Sequence, residues 1–276
     1  MPSMMRHPLR LLTALAVGVV VPTAASRAGA QAIVEDQVSG TRQLLQAVSV
    51  VDSSVVWASG HGATWTRTTD GGRTWRAGVV PGDTLLEFRD VWARDARTAW
   101  LLAAGPGDRS RVYQTTDAGA SWTLQWTNDE AKGFYDCLDF WDERHGVVYG
   151  DAVDGAPRIR VTDDGGRTWR RVADARLPPA LPGEGGFAAS GTCLVTAAGG
   201  RAWIATGNAA RARVLRTEDF GESWSAVETP LPGGEGIGLT SIAMRDVRVG
   251  TAFGGNLGAM GARADEVART EDGGRA

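Results

Sequence analysis

The 276-residue chain contains one lysine, Lys132, three histidines, three tyrosines and two cysteines. Every other one of its 29 basic residues is arginine, and 32 acidic residues leave a net charge of −3. That near balance excludes the basic footprint by which nucleic-acid-binding domains neutralise phosphates. The dominance of arginine reads as genome composition and not as an arginine-rich site. The two cysteines lie far apart with no histidine beside them, which is not a zinc-ligand spacing. No Gly-x-Gly-x-x-Gly stretch stands between a strand and a helix, so no dinucleotide fingerprint is present. Gly254-Gly255-Asn256-Leu257-Gly258 reads as a turn. No cofactor and no metal are expected.

No apolar run reaches the ~20 residues that span a bilayer. The longest, Leu11 to Val21, follows Arg6, His7 and Arg10 and precedes the small-x-small site Ala28-Gly29-Ala30. Residues 1–30 therefore read as a secretory signal peptide, cleaved before Gln31, which predicts an exported, periplasmic or secreted protein with no stable membrane span. No cysteine follows the apolar run, so a lipoprotein is not expected.

Glycine (37 residues) and tryptophan (11 residues) are abundant, and both belong to one recurring phrase. Thr-Thr-Asp-Gly-Gly-Arg-Thr-Trp at 68–75 returns at 115–122, 162–169 and 217–224, and a fifth copy begins at Thr270. The frame is Thr-x-Asp-x-Gly-x-Thr/Ser-Trp. It is filled by Thr68, Asp70, Gly72 and Trp75; by Thr115, Asp117, Gly119 and Trp122; by Thr162, Asp164, Gly166 and Trp169; by Thr217, Asp219, Gly221 and Trp224; and by Thr270, Asp272 and Gly274. Successive tryptophans are 47, 47 and 55 residues apart. A period of about 40–50 residues marks an array of supersecondary units, most often propeller blades. Each phrase joins two strand-like runs, so it is a hairpin turn. The Asp accepts main-chain N–H groups two residues on, the Gly supplies a positive φ, and the Trp packs on a neighbouring unit. One Asp per blade cannot converge on one substrate, so the phrase is structural.

This frame resembles the Asp-box, or BNR repeat, of sialidases, sortilin-type receptors and other β-propellers. The wider pattern Leu45-x-x-Val48 … Val56-Trp57-Ala58-x-Gly60-x-Gly62 before the first box is similar to the photosystem II stability/assembly factor family, over roughly residues 33–276. The resemblance implies a repeat protein that binds another protein or stabilises an assembly without catalysing a reaction. It singles out no photosystem partner.

The expected fold is all-β: a β-propeller over 31–276 with four-stranded antiparallel blades at about 44–81, 86–127, 134–172, 188–227 and 240–276, the last incomplete. Five units predict a fragment of a larger, seven-bladed ring, or a five-bladed ring. If the full ring is present, the strand-like Ile33–Gly40 is expected to complete the last blade and leave no free sheet edge. Cys137 and Cys193 fall on inner strands of adjacent blades, where Cα atoms come within the ~4.4–6.8 Å a disulfide needs. A bridge and a pair of buried free thiols are both compatible with that placement.

Ligands of such scaffolds bind where loops converge, here the face opposite the boxes. Arg89, Asp90, Asp151, Glu184 and Glu235 form the candidate rim there, with Glu184 and Glu235, each between glycines in a long inter-blade link, making it acidic. The alternative to a protein-binding scaffold is a sialidase-like glycoside hydrolase, whose chemistry needs a tyrosine nucleophile, a glutamate, an aspartic acid and three arginines. Of the three tyrosines only Tyr135 is suitably placed, beside Asp136 and within reach of Glu184; these three are the only catalytic candidates. The Arg-Ile-Pro phrase found early in sialidases is absent.

Overall fold

Short β-branched and aromatic runs bounded by Gly/Asp turns form strands, and the computed structural model, which describes residues 34–82, 84–188, 191–259 and 266–275, contains 19 of them. Residues Gln37–Ala276 form one compact unit, separate from Met1–Asp36; the signal segment at 1–30 lies outside the described residues. Blade one is β1 (Leu45–Val50), β2 (Val56–Gly60), β3 (Thr64–Thr68) and β4 (Arg76–Val79). Blade two is β5 (Phe88–Ala93), β6 (Ala99–Ala103), β7 (Arg111–Thr115) and β8 (Thr123–Thr127). Blade three is β9 (Tyr135–Phe140), β10 (Gly146–Val153), β11 (Ala156–Thr162) and β12 (Arg170–Arg171). Blade four is β13 (Leu194–Ala197), β14 (Arg201–Ala205), β15 (Arg211–Thr217) and β16 (Ser225–Pro232). Blade five has three strands, β17 (Ile237–Met244), β18 (Gly250–Asn256) and β19 (Val267–Thr270). Within each sheet consecutive strands pair antiparallel. The fold is the expected all-β propeller.

Each blade packs on the next in sequence, and no packing of comparable extent links blade five to blade one among the described residues. The expectation that Ile33–Gly40 completes the last blade is corrected here. Ile33 is not among the described residues, and 34–40 carry no strand. Residues 37–40 instead lie on the outward face of blade one. Thr66 Oγ1 donates to the Ser39 carbonyl at 2.7 Å, and Trp75 Nε1 donates to Gln37 Oε1 at 3.0 Å. The physical reason is the row Val48, Ala58, Thr66 and Ala77, which pair across that face and which no other blade covers among the described residues.

Inner strands are linked by a directed set of hydrogen bonds. Ser49 Oγ accepts from Ala93 N at 3.0 Å, Asp90 Oδ2 from Leu138 N at 2.7 Å, and Asp139 Oδ2 from Thr196 N at 2.8 Å. Between blades three and four, Cys137 and Cys193 are joined in a disulfide with their Cα atoms 6.1 Å apart.

The box repeats its geometry closely. In blade one Thr68 Oγ1 donates to Asp70 Oδ1 at 2.8 Å and Gly72 N donates to Thr68 Oγ1 at 2.9 Å. Thr74 closes it, its amide donating to Asp70 Oδ1 at 2.9 Å and its hydroxyl to Oδ2 at 2.6 Å. The amide held is four residues beyond the Asp, not two as expected. Asp117, Asp164 and Asp219 make the same set. The residue after each Asp also turns left-handed, including Ala118 at φ 70° and Phe220 at φ 59°. Its N–H donates to the turn between the first two strands of its own blade. The pairs are Gly71 to Ser54, Ala118 to Arg97, Gly165 to Arg144, Phe220 to Gly200 and Gly273 to Arg248, at 2.7–3.0 Å.

That first turn is itself a repeat which the sequence reading passed over. Asp52, Asp95, Asp142 and Asp246 each accept from the amides two and three residues on, the local capping that makes Asp a turn residue. Blade four replaces it with Gly199 and Gly200, both at positive φ.

Candidate functional site

The strand order places the box turns on one face and the links between blades on the other. On the link face the catalytic candidates do not converge. Tyr135 is 0% exposed; its hydroxyl accepts from Arg160 Nε at 3.2 Å and its ring meets Trp126 edge-on at 4.8 Å. Burial raises its pKa, although Arg160 works against that shift. Glu184 is 3% exposed and turned inward, where Arg213 pairs with both carboxylate oxygens. Thr206 Oγ1 donates to it at 2.8 Å and Leu181 N at 2.9 Å. Its charge is felt by Tyr149, whereas Tyr135 senses Arg160, Glu130 and Arg158.

Asp136 is buried beside Asp151. Burial pushes the Asp136 carboxyl well up and the neighbouring carboxylate pushes it further; burial also raises Asp151. Gly185 and Gly186 lie over the pair, and Gly186 N donates to Asp151 Oδ1 at 2.9 Å. A Cβ on Gly186 would stand 2.9 Å from Asp136 Cγ, so the link passes too close for a side chain.

The rim is also rearranged. Arg89 is half-buried, pairs with Glu87 at 2.6 Å and donates to the Ala188 carbonyl. Asp90 is buried between inner strands, and burial pushes its carboxyl well up. Glu235 alone is exposed. Glu184 and Glu235 therefore do not form the expected acidic pair, because Arg213, an arginine of the adjoining third strand, draws Glu184 into the interior.

A concave feature lies on the opposite, box-bearing face. A cavity of about 610 Å³ separates blades two and three, walled by Arg94, Arg97, Arg144 and Arg167 together with Asp95, Glu143, Asp164 and Trp100. Arg94 bridges to Asp95 and Glu143 at 3.0 and 3.2 Å. Arg144 and Arg167 donate to the main-chain carbonyls of Asp163 and Asp164, and no carboxylate pairs with Arg97 among the described residues. Gln114 lines the groove. Blade one carries Arg67 at that position, and its guanidinium reaches across to the Ala96 carbonyl of blade two. Gln114 is shorter and bonds within its own blade to Gln125 at 3.0 Å. Reading one Asp-box at a time missed this groove; comparing the residue before each first Thr would have exposed it.

No family model matches the chain, and no curated protein matches it. Among solved structures it is similar to a GH74 xyloglucanase from Xanthomonas campestris, with 17% identity, TM-score 0.57, and 84% of this chain covering 37% of that one. It is similar to a putative TolB from Agrobacterium tumefaciens, with 13% identity, TM-score 0.54, and coverage of 85% and 79%. A structure described as YCF48 bound to D1 peptide matches with 16% identity, TM-score 0.43, and coverage of 84% and 79%. The chain thus spans little more than a third of the xyloglucanase. At these identities the likeness establishes architecture alone. The chain is a β-propeller whose blades each carry the Thr-x-Asp-x-Gly turn, and its likeness to these solved structures is one of fold.

Proposed function

We propose that the chain is an exported, non-catalytic propeller that binds a protein partner through an acidic segment laid in the arginine-walled groove between blades two and three. The observation that carries this reading is the groove itself: four guanidinium groups against three carboxylates around one cleft, with the Arg97 guanidinium paired to no carboxylate among the described residues. Arginine's planar fork suits carboxylate recognition. Supporting it, the hydrolase candidates are each taken up elsewhere: Tyr135 by Arg160, Glu184 by Arg213, Asp136 under a glycine link. The sialidase-like alternative needs those three groups to meet at one solvent-open point.

The test pairs capture with catalysis. The mature chain and an Arg97→Glu/Arg144→Glu variant are used as bait against a periplasmic extract, and partners retained only by the unaltered chain are identified. Aryl glycosides and a fluorogenic sialoside are assayed in parallel. Loss of a specific partner in the charge-reversed variant supports the reading. Equal capture by both, or hydrolysis abolished by Tyr135→Phe, overturns it.

A further inference from the structure

Given an acidic segment in the groove between blades two and three, the reading on which this rests, we propose that the same segment carries a large apolar side chain, Trp, Phe or Leu, seated on Phe220 and His145. Phe220 follows the Asp of the fourth box. The backbone at that position is left-handed, and the other blades place Gly71, Ala118, Gly165 and Gly273 there. A phenylalanine held at φ 59° is strained for an L-residue, and strain of that kind collects at functional positions.

Blade four is altered to admit the ring. Its first turn has Gly199 and Gly200 in place of the capping Asp, and the Gly200 carbonyl accepts from Phe220 N at 3.0 Å. A Cβ on Gly200 would stand 2.8 Å from Phe220 Cδ2, so a side chain there would crowd the ring.

Packing alone does not account for this phenylalanine. Trp100 and Trp203, which fill their junctions, are 1% and 2% exposed, whereas Phe220 is 38% exposed. Trp141 meets its ring edge-on at 5.6 Å, and the His145 ring lies 4.6 Å away, tilted by 40°. His145 is steadied in turn by Asp142, whose Oδ2 lies 2.9 Å from Nδ1. The ring is thus backed from within the fold and leaves an apolar surface open on the box face.

The turn at 141–145 joins this platform to the groove. Glu143 and Arg144 wall the groove, and Trp141 and His145, from the same turn, hold Phe220. A segment whose carboxylates pair with Arg97 and Arg144 has only this turn to cross before it reaches the ring. Acids followed or preceded by one apolar anchor match the two surfaces, the charges fixing register and the anchor supplying much of the affinity.

The probe is a phage-displayed library of random dodecapeptides, panned in parallel on the mature chain, on Phe220→Gly and on Arg97→Glu/Arg144→Glu. The unaltered chain should enrich peptides that join acids to a Trp, Phe or Leu, and Phe220→Gly should enrich acids without the apolar residue. A fluorescein-labelled copy of the best peptide should bind Phe220→Gly about tenfold more weakly, as loss of a seated anchor does, and Phe220→Tyr with nearly parental affinity. Its counterpart with the apolar residue changed to Ala should lose the same factor on unaltered protein, which keeps the test intact if Phe220→Gly misfolds. Enriched acidic peptides with no apolar preference, or equal binding of the Ala counterpart, overturn the inference and leave the groove reading standing. Enrichment of no acidic peptide, or of acidic peptides that bind Arg97→Glu/Arg144→Glu equally well, overturns the groove reading and this inference with it.

Discussion

Glu184 and Arg213 meet inside the molecule, their side chains 1% and 10% exposed, tying the link between blades three and four to a strand of blade four. Both carboxylate oxygens are engaged. Removing one member of such a pair leaves an uncompensated buried charge, which costs about 3–5 kcal/mol. Glu184→Ala should therefore lower unfolding stability by that amount in urea titration. The Glu184→Ala/Arg213→Met double variant should recover a good part of it, since apolar replacement of both partners is often neutral.

Ala118 holds φ at 70°, a conformation that L-residues with a Cβ resist and glycine does not. Blades one, three and five have glycine at this position, Gly71, Gly165 and Gly273. Ala118→Gly should raise the free energy of unfolding by about 0.5–1 kcal/mol, the strain relieved outweighing the extra freedom of the unfolded chain. Thermal melts of the two proteins check this.

Two sets of acids predict opposite pH limbs. The Thr74 hydroxyl holds the Asp70 carboxyl down at about 2, the Ser121 hydroxyl does the same for Asp117, and the Arg248 and Val249 amides do so for Asp246. Stability from these acids is complete above about pH 4, the unfolded value, and is lost as pH falls toward 2. Burial instead holds Asp139 up at about 6. Its contribution is complete below about pH 4 and declines as pH rises through 6. Denaturant midpoints measured from pH 2 to 8 should show both limbs. Asp70→Asn with Asp117→Asn should reduce the acid limb, and Asp139→Asn should reduce the upper one, to which the buried Asp90, Asp136 and Asp151 also contribute.

The Cys137–Cys193 bridge closes a loop of sequence separation 56. Constraining the unfolded chain over such a loop stabilises by about 2–4 kcal/mol. Dithiothreitol, or Cys137→Ala with Cys193→Ala, should lower the denaturant midpoint accordingly, and mass spectrometry of the unreduced protein should find both thiols blocked.

The blades were legible because the box is local: Thr, Asp, Gly and Trp act within eight residues, and their spacing survives in the chain. The first-turn aspartates Asp52, Asp95, Asp142 and Asp246 carry an equally local signal, which was there to be read. What was not legible depends on partners distant in sequence. Glu184 reads as a surface acid until Arg213, 29 residues on, folds over it. Gln37 reads as part of a strand until Trp75 captures its amide oxygen, 38 residues away. The groove sits between these extremes, since one residue that lines it, Gln114, stands where blade one carries Arg67.

The relay of inner-strand acceptors runs one way, from Ser49 to Ala93, from Asp90 to Leu138 and from Asp139 to Thr196. Cutting behind blade two or behind blade three would strand Asp90 or Asp139 in the interior with no amide to meet it. Excisions should be planned at the boundary behind blade one, where the acceptor is the Ser49 hydroxyl and nothing charged is orphaned.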